Sequence, residues 1–237
     1  MRSPKFFRMF YYDHSLLPNA QLRNLEADAN SIEDAKRLSG FSIGWPGWSL
    51  LYSIVLSNIP PGETALVVET GTNQGATTLV LAQALVDRGV INPRVITFEM
   101  LSENLSTARE NWAKAGVSRF VRSFLGDTRD TLEPALMELV EPHSLRFVLL
   151  DASHLESDVR REFETVLPYL ASDGIVAMDN TYPIAEEGED PRVNGFLSTI
   201  TERYGGNLIN FPFCSWFTPG LAIWQREPDL SAMHHLP

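Results

Sequence analysis

The stretch 65-ALVVETGTNQGATT-78 decides how the rest of the chain is interpreted. Its first four residues are apolar and predict a short strand that is buried on both faces. Glu69 ends this strand, the following loop contains Gly71 and Gly75, and an apolar helical pattern begins at Leu79. The order of strand, glycine-containing loop and helix is typical of the start of a nucleotide-binding α/β domain.

The spacing of the two glycines distinguishes between classes of ligand. In Gly-x-Gly-x-x-Gly the closely spaced glycines favour a pyrophosphate, whereas this loop has the pattern Glu-x-Gly-x-x-x-Gly. One turn glycine behind an acidic residue suits a ligand with an amino group and a carboxylate. Glu69 would hold the ammonium group, and the loop amides with Thr77 would hold the carboxylate. Gly71 would allow a tight turn and Gly75 a close approach of the ligand. The alternative is a strand–loop–helix connection without a ligand.

Composition and charge narrow the class of protein. A chain of 237 residues with 44% hydrophobic residues can form one α/β domain with a short extension. The net charge of −11 argues against binding to nucleic acid. No apolar run approaches the roughly 20 residues of a membrane span, and no signal peptide is recognised. The single cysteine, Cys214, excludes an intrachain disulfide and agrees with a cytoplasmic location.

Two regions are expected along the chain. Residues 1–60 are predicted to form a helical extension with an aromatic lid, and residues 61–237 the main domain. Helical spacing is found at 19–38 and again at 49–57. Between them, residues 41–48 combine structure-breaking glycine and proline with three large aromatic rings. These rings either pack on the core or cover a ligand, and the sequence leaves both interpretations open.

From residue 61 onward, strand and helix patterns alternate. Further strands are predicted at 95–98, 120–124, 145–150, 175–178, 208–213 and 220–225, and helices at 102–114, 130–140 and 193–204, with Ser102 as the N-cap of the first of these. Turns are expected at 87–93 and 172–174, and the last two strands are expected to pair. The predicted fold is a seven-stranded, mostly parallel α/β sheet with an antiparallel last strand and helices on both faces.

Polar side chains follow the predicted strands at their carboxyl ends. Glu99 ends the second strand, where an acidic residue bonds ribose hydroxyls in nucleotide-binding folds; the alternative is an ordinary exposed carboxylate. Asp151 follows the fourth strand, and Asp179 with Asn180 follows the fifth. Two carboxylates and an amide oxygen form a hard-oxygen set suited to Mg²⁺, and two adjacent acids would repel without a cation. The alternative is that both aspartates cap helices or bond to loop amides.

Two stretches carry a resemblance to a known family. The stretch 65–78 resembles motif I of the class I S-adenosylmethionine (SAM) methyltransferases. Residues 149–154 and 176–181 resemble the metal-dependent catechol and caffeoyl-CoA type O-methyltransferases, and the similarity covers roughly residues 40 to 225. The resemblance implies a cation site at Asp151, Asp179 and Asn180 and a SAM site at Glu69, Gly71, Thr72, Gly75, Thr77, Glu99, Asp127, Thr128 and Asp151. Asp127 would contact the adenine; the alternative is that it caps the next helix.

One position departs from the catechol enzymes, which carry a lysine three residues after the first metal-binding aspartate. Here His154 stands at that position, as in a related group of bacterial small-molecule and sugar O-methyltransferases. Histidine suits a general base at neutral pH because its ordinary pKa is about 6.5. The resemblance therefore implies methyl transfer from SAM to a hydroxyl of a small molecule, assisted by Mg²⁺ and with His154 as the base. The alternative is a histidine that only bonds to a carboxylate or a carbonyl.

Other functions compete with this interpretation. A metal-independent SAM methyltransferase would use the acids as caps or substrate contacts. A nucleotide- or NAD-binding protein without methyl transfer is disfavoured by the glycine spacing, and a non-catalytic scaffold would keep the fold alone. The methyl acceptor and the oligomeric state are left open, although the aromatic N-terminus with Trp216 and Phe217 makes a homodimer an option.

Overall fold

The computed structural model describes residues 43, 47–141, 144–181, 193–211 and 220–227. The helices in this part are α1 (Gly47–Asn58), α2 (Ala76–Asp87), α3 (Ser102–Ala115), α4 (Thr128–Leu139), α5 (Glu156–Val166) and α6 (Val193–Tyr204). The strands are β1 (Thr64–Thr70), β2 (Ile91–Glu99), β3 (Val121–Leu125), β4 (Leu145–Leu150), β5 (Leu170–Asp179), β6 (Asn207–Phe211) and β7 (Leu221–Gln225). The predicted helix at 19–38, the rings of Phe41 and Trp45, and the segment with Cys214, Trp216 and Phe217 lie outside the described residues.

The strands form one seven-stranded sheet in the order β3-β2-β1-β4-β5-β7-β6. The pairs from β3 to β5 are parallel, and β7 runs antiparallel to both β5 and β6. The predicted α/β fold with an antiparallel last strand is therefore confirmed. The direction of strand addition reverses between β1 and β4, and ligands of open α/β sheets bind outside the carboxyl ends of the strands at such a point.

The core has two layers, one on each face of the sheet. Successive residues of a strand point to opposite faces, so Ala65 and Val67 pack with α1, α2 and α3, while Leu66 and Val68 pack with α4, α5 and α6. Trp48 belongs to the first layer with only 3% of its surface exposed. This ring of the aromatic segment is therefore a core residue. No helix among the described residues is long and apolar enough to cross a membrane.

Three local expectations are corrected. The turn expected at 87–93 overlaps β2, which begins at Ile91, and the turn expected at 172–174 lies wholly inside β5, which begins at Leu170. The pairing register shifts near both strand starts, so turn-forming residues are accommodated in irregular strand beginnings. Ser102 is the first helical residue of α3 and not its N-cap, which is Leu101 without a side-chain cap bond.

Candidate active site

Glu69 lies in β1 just before the glycine loop and is completely buried. Its Oε2 atom accepts hydrogen bonds from the hydroxyls of Thr78 at 2.5 Å and Thr97 at 2.7 Å, and the hydroxyls of Thr97 and Thr72 lie 2.5 Å apart. Burial raises the pKa of Glu69 to about 7, although the two threonine bonds oppose this shift. Its Oε1 atom has no partner among the described residues. The carboxyl group is thus held firmly by one oxygen, with the other unused.

Both glycines of the loop are required by contacts with the protein itself. Gly71 has a φ of +82°, and a Cβ at this position would lie 2.1 Å from the carbonyl oxygen of Asp151. Gly75 has a φ of +78°, and its Cβ would meet Trp112 and Ala108 of α3. The tight turn predicted for Gly71 is present, and the space that a side chain at Gly75 would take is filled by protein. Gly71 therefore allows β1 and β4 to approach at the sheet edge.

Several loop amides are already engaged with the fold. The amides of Gly71 and Thr72 both donate to the carbonyl of Phe98, and the amide of Gly75 donates to the carbonyl of Thr72. The amide of Asn73 donates to a carboxylate oxygen of the Glu99 side chain at 2.7 Å. These amides are not available to a ligand carboxylate. The N-terminus of α2, which has no side-chain cap bond, is a further group of this type.

Thr77 lies in the first turn of α2 and is hydrogen-bonded to a residue of α1. Its hydroxyl oxygen accepts a hydrogen bond from the indole nitrogen of Trp48 at 3.0 Å, and both side chains are buried. The contact fixes α1 against the N-terminus of α2. Trp48 therefore holds the side chain of Thr77, a residue of the predicted cofactor site, in place.

Glu99 ends β2 at the rim of the predicted cofactor site. Its two carboxylate oxygens accept from the backbone amides of Asn73 at 2.7 Å and Leu101 at 2.8 Å. The neighbouring apolar side chains Met100, Leu101 and Leu125 are 65%, 57% and 54% exposed. Leu125 pairs in register with Glu99 across β2 and β3. A fixed carboxylate thus stands beside exposed apolar surface at the carboxyl edge of two strands.

Asp127 caps α4, as one of the two sequence interpretations predicted. Its side chain accepts from the backbone amide of Arg129 at 2.8 Å and forms an ion pair with the Arg129 guanidinium at 2.6 Å. The hydrogen bonds from Arg129 lower the pKa of the Asp127 carboxyl. The next residue, Thr128, donates its hydroxyl to Glu162 at 2.6 Å.

Asp151, His154 and Asp179 come together at the ends of the neighbouring strands β4 and β5. Each offers one potential ligand atom, and these atoms all lie within 4.8 Å of one another. The Nε2 atom of His154 is 3.8 Å from a carboxylate oxygen of Asp151. Asp179 is 1% exposed, and its carboxylate has no close hydrogen-bond partner among the described residues, although the Asp151 carboxyl and the Asn180 backbone amide lie near enough to shift its pKa. A buried carboxylate without partners is costly unless a cation or a proton balances it.

Burial dominates the protonation of both aspartates. It raises the pKa of Asp151 to about 8, and the carboxylates of Glu69 and Glu162 add to the rise. It raises the pKa of Asp179 well above its usual value, and repulsion from Asp151 adds to this shift. The side chain of Asp151 retains 16% exposure, so one side of the pair remains open to solvent. Without a cation, the pair therefore holds at least one proton near neutral pH.

Asn180 follows Asp179 in a left-handed backbone conformation, with a φ of 55° that asparagine tolerates better than most residues. This turn brings its amide nitrogen to 2.6 Å from Nδ1 of His154. The amide oxygen of Asn180 is buried without a partner among the described residues. The oxygens of Asp179 and Asn180 together fit the hard-oxygen donor set that Mg²⁺ prefers.

The loop after β4 is held by hydrogen bonds to β1 and α5. The amide of Asp151 donates to the backbone oxygen of Thr70 at 3.1 Å and approaches its hydroxyl at 3.2 Å. The hydroxyl of Ser153 donates to Asp158 in the first turn of α5 at 2.7 Å. These contacts hold the segment that carries His154 between β1 and α5.

Comparison with known proteins agrees with this geometry. Residues 68–181, which include the glycine loop and the cluster around Asp151, match a family described as a methyltransferase domain. This stretch is similar to a methyltransferase domain. No curated protein sequence matches the chain significantly.

Several solved structures share the fold of this chain. An O-methyltransferase from Bacillus cereus in complex with SAH is 22% identical with a TM-score of 0.67, over 90% of this chain and 93% of that one. The O-methyltransferase TomG from Streptomyces achromogenes, involved in tomaymycin synthesis and in complex with SAM, is 21% identical with a TM-score of 0.67 and the same coverages. An SAH-bound methyltransferase from Podospora anserina is 17% identical with a TM-score of 0.61, over 88% and 86%. The resemblance to class I methyltransferases stated from the sequence is confirmed.

Sequence reasoning did not identify two buried polar residues at the site, Thr97 and Glu162. Thr97 interrupts an apolar strand with a hydroxyl, which is the signal that could have identified it as the partner of Glu69. Glu162 follows Val159 by three positions and precedes Val166 by four, so a charge stands on the apolar face of α5. It is 2% exposed.

Proposed function

We propose that this chain is a SAM-dependent O-methyltransferase that methylates a hydroxyl of a small molecule with the help of a divalent cation. The observation that carries the proposal is the convergence of Asp151, His154 and Asp179, with their potential ligand atoms within 4.8 Å, at the carboxyl ends of β4 and β5 beside the switch point of a methyltransferase-like fold. In the overall reaction the acceptor oxygen gains the methyl group, SAM becomes SAH, and the hydroxyl proton is released to the protein.

The proposed SAM site runs along the carboxyl ends of β1, β2 and β3. It comprises Glu69, Gly71, Thr72, Gly75, Thr77, Glu99, Asp127, Thr128 and Asp151, as expected from the resemblance. The unpartnered Oε1 atom of Glu69 supports a role towards the ammonium group. Because several loop amides bond within the protein, we assign the carboxylate to the uncapped N-terminus of α2.

The outer end of this site has a suitable environment for a nucleoside. Each oxygen of Glu99 accepts from one backbone amide and keeps a lone pair for a ribose hydroxyl. Met100, Leu101 and Leu125 offer exposed apolar surface for an adenine ring. Asp127 is engaged with Arg129, so we expect its contribution to adenine binding to be smaller than that of these apolar side chains.

Asp151, Asp179 and Asn180 are the proposed ligands of the cation, which is Mg²⁺ or a similar hard ion. Their fit is supported by the unpartnered, buried oxygens of Asp179 and Asn180. When bound, the cation would lower the pKa of an acceptor hydroxyl. The carboxylates of Asp151 and Asp179 would themselves disfavour an apolar acceptor beside them and would orient a polar one.

His154 is the proposed general base, acting through Nε2. For this role Nδ1 must carry the proton of the neutral ring and donate it to the Asn180 amide oxygen, which requires the amide to turn over from its present orientation. In the present orientation, the amide nitrogen donates to Nδ1 and the amide oxygen remains available as a cation ligand. The base and ligand roles therefore make opposite demands on Asn180, and an Asn180→Asp substitution would remove this conflict.

The proposal is tested by binding before activity. Calorimetry should detect SAM and not NAD, and Mn²⁺ should bind to the wild-type protein but at least tenfold more weakly to Asp151→Asn. Asp173→Asn is a matched control, because Asp173 pairs with Arg146 towards the amino-terminal ends of β4 and β5, and the cluster lies at their carboxyl ends. Binding of NAD without SAM would overturn the proposal, and SAH formation that survives EDTA would favour the metal-independent methyltransferase.

The catalytic role is tested with small polyhydroxylated acceptors, including catechols, by following SAH formation. We expect His154→Gln to lower kcat by about 10²-fold or more while SAM affinity stays within twofold. Equal activity of His154→Gln and the wild type would eliminate the proposed base. A cytoplasmic location, supported by the single Cys214, and a homodimer remain predictions.

A further inference from the structure

The side chain of Glu162 lies beneath the active edge and belongs to none of the roles proposed so far. It is carried by α5, between the end of β1 and the start of α4, and is 2% exposed. Its Oε2 atom accepts from the hydroxyl of Thr70 at 2.8 Å, and its Oε1 atom accepts from the hydroxyl of Thr128 at 2.6 Å. One carboxylate thus joins two segments that are far apart in sequence.

Each of the two threonines borders a different part of the site. Thr70 is the last residue of β1, and its hydroxyl oxygen lies 3.2 Å from the amide of Asp151, the first proposed cation ligand. Thr128 is the first residue of α4, directly after Asp127 in the loop assigned to the adenine end of SAM. The two ends of the bridge therefore correspond to the two proposed ligands.

The direction of the hydrogen bonds makes the carboxylate important. Because the Thr70 hydroxyl donates its proton to Glu162, its lone pairs are directed to the Asp151 amide. An amide in place of the carboxylate offers only one acceptor oxygen, so one of the two hydroxyls would have to reverse. If the Thr70 hydroxyl reversed, its proton would point at the Asp151 amide and the contact would be lost.

We propose that Glu162 is a positioning residue that couples the Asp151 end of the cation site to the Thr128 end of the SAM site through the two threonine hydroxyls. The inference rests on the proposed function for what binds at each end. Buried polar groups that are fully hydrogen-bonded hold their surroundings in one arrangement. Glu162 is therefore expected to keep the two ends at a constant spacing, so that binding at one end is affected by a change at the other.

The coupling is first tested without any ligand, by amide hydrogen exchange. The reporters are the amide of Asp151 and the amide of Thr131, which bonds to the carbonyl of Asp127 at 3.1 Å. Thr70→Val should speed exchange at Asp151 about threefold, since the bond from this amide to the Thr70 backbone oxygen remains, and should leave Thr131 within twofold. Thr128→Val should do the reverse. Glu162→Gln should speed both relative to the strand amides of the core.

Glu164→Gln is the matched control on the same helix. Glu164 is exposed, and its carboxylate contacts Tyr204 and Arg203 on α6, so neither reporter amide should change. An unchanged pair of reporters in Glu162→Gln would overturn the coupling. A uniform increase over all amides would also overturn it, because that is the signature of general destabilisation alone.

The second measurement uses the ligands themselves. Glu162→Gln should weaken Mn²⁺ binding and SAM binding by about tenfold each, whereas Thr70→Val should weaken Mn²⁺ binding alone. A Glu162→Gln protein that binds both probes as the wild type does would contradict the inference. If the wild type binds neither probe, the proposed function fails, and the exchange experiment still decides whether the bridge exists.

Discussion

The amide nitrogen of Asn180 lies 2.6 Å from Nδ1 of His154, although the residues stand on different strand-end loops. This contact fixes the plane of the imidazole and leaves Nε2 directed towards Asp151 at 3.8 Å. The oxygen of the same side-chain amide is the third proposed cation ligand. One asparagine thus determines both the donor set of the cation site and the tautomer of the histidine.

Asn180→Asp is expected to strengthen His154 as a base. A carboxylate can accept the Nδ1 proton with one oxygen and bind the cation with the other, so both roles are served at once. A negative charge at this distance favours the imidazolium, and the acidic limb of the kcat/KM profile should move up by about one pH unit. A profile that does not move, at unchanged cation affinity, would show that Nδ1 does not depend on residue 180.

Asp179→Asn is expected to change cation affinity and stability in opposite directions. The variant loses one anionic ligand, so Mn²⁺ binding should weaken at least tenfold. In the cation-free protein, burial and the neighbouring Asp151 carboxylate make the ionised form of Asp179 costly, so its neutral isostere should stabilise the fold by about 1–3 kcal/mol at pH 8.

The measurement is denaturant unfolding at pH 8 in EDTA. Asp173→Asn is the control, because it removes an aspartate that forms an ion pair with Arg146 and should not stabilise the protein. A destabilised Asp179→Asn protein would mean that the carboxylate is satisfied in a way not seen among the described residues.

The stability of the cation-free protein is expected to fall as the pH rises from about 4 to 8. The pKa is raised to about 7 for Glu69 and to about 8 for Asp151, above ordinary values of 4.5 and 3.8. In this window the folded protein binds more protons than the unfolded chain, so the contribution is full below pH 4 and is lost as the pH rises through 8.

Each raised pKa unit corresponds to roughly 1.4 kcal/mol, so the loss should reach several kcal/mol in EDTA. Glu69→Gln should make the stability less dependent on pH, because the glutamine side chain does not titrate. The rise in Tm on adding Mg²⁺ should be larger at pH 8.5 than at pH 5.5, since protons no longer compete for the carboxylates. A Tm in EDTA that is constant over this range would contradict the prediction.

Gly71→Ala is expected to be severely destabilising. A Cβ would lie 2.1 Å from the carbonyl oxygen of Asp151, and the φ of +82° is unfavourable for alanine. The backbone at the junction of β1 and β4 would have to move, at a cost of about 3 kcal/mol or more. Gly89→Ala is the control, because Gly89 has a φ of +72° with no atom within 4 Å of its Cβ position. Its cost should be about 1 kcal/mol. If both variants lost the same free energy of unfolding, backbone strain at positive φ, and not the close approach of β1 and β4, would explain the cost of Gly71→Ala.

The sequence predicted the strand ends well because a parallel sheet places the carboxyl ends of its strands at one edge. Asp151 follows β4 and Asp179 ends β5, so their proximity was inferred from two buried runs and the residues after them. The engagement of the loop amides was not predicted. The amides of Gly71 and Thr72 donate to Phe98 of the next strand, a contact that depends on the strand register and not on the glycine spacing.

The sequence by itself determined the class of fold, the glycine turn after β1 and the carboxylates at the strand ends, because the periodicity of apolar residues sets strands, helices and their order. Only the tertiary structure decided how the polar groups are paired. Glu162 meets Thr70 across 92 positions and Thr128 across 34, and no local pattern encodes such contacts. A buried polar group must find its partner within the folded chain, so its role is set by which strands and helices pack around it.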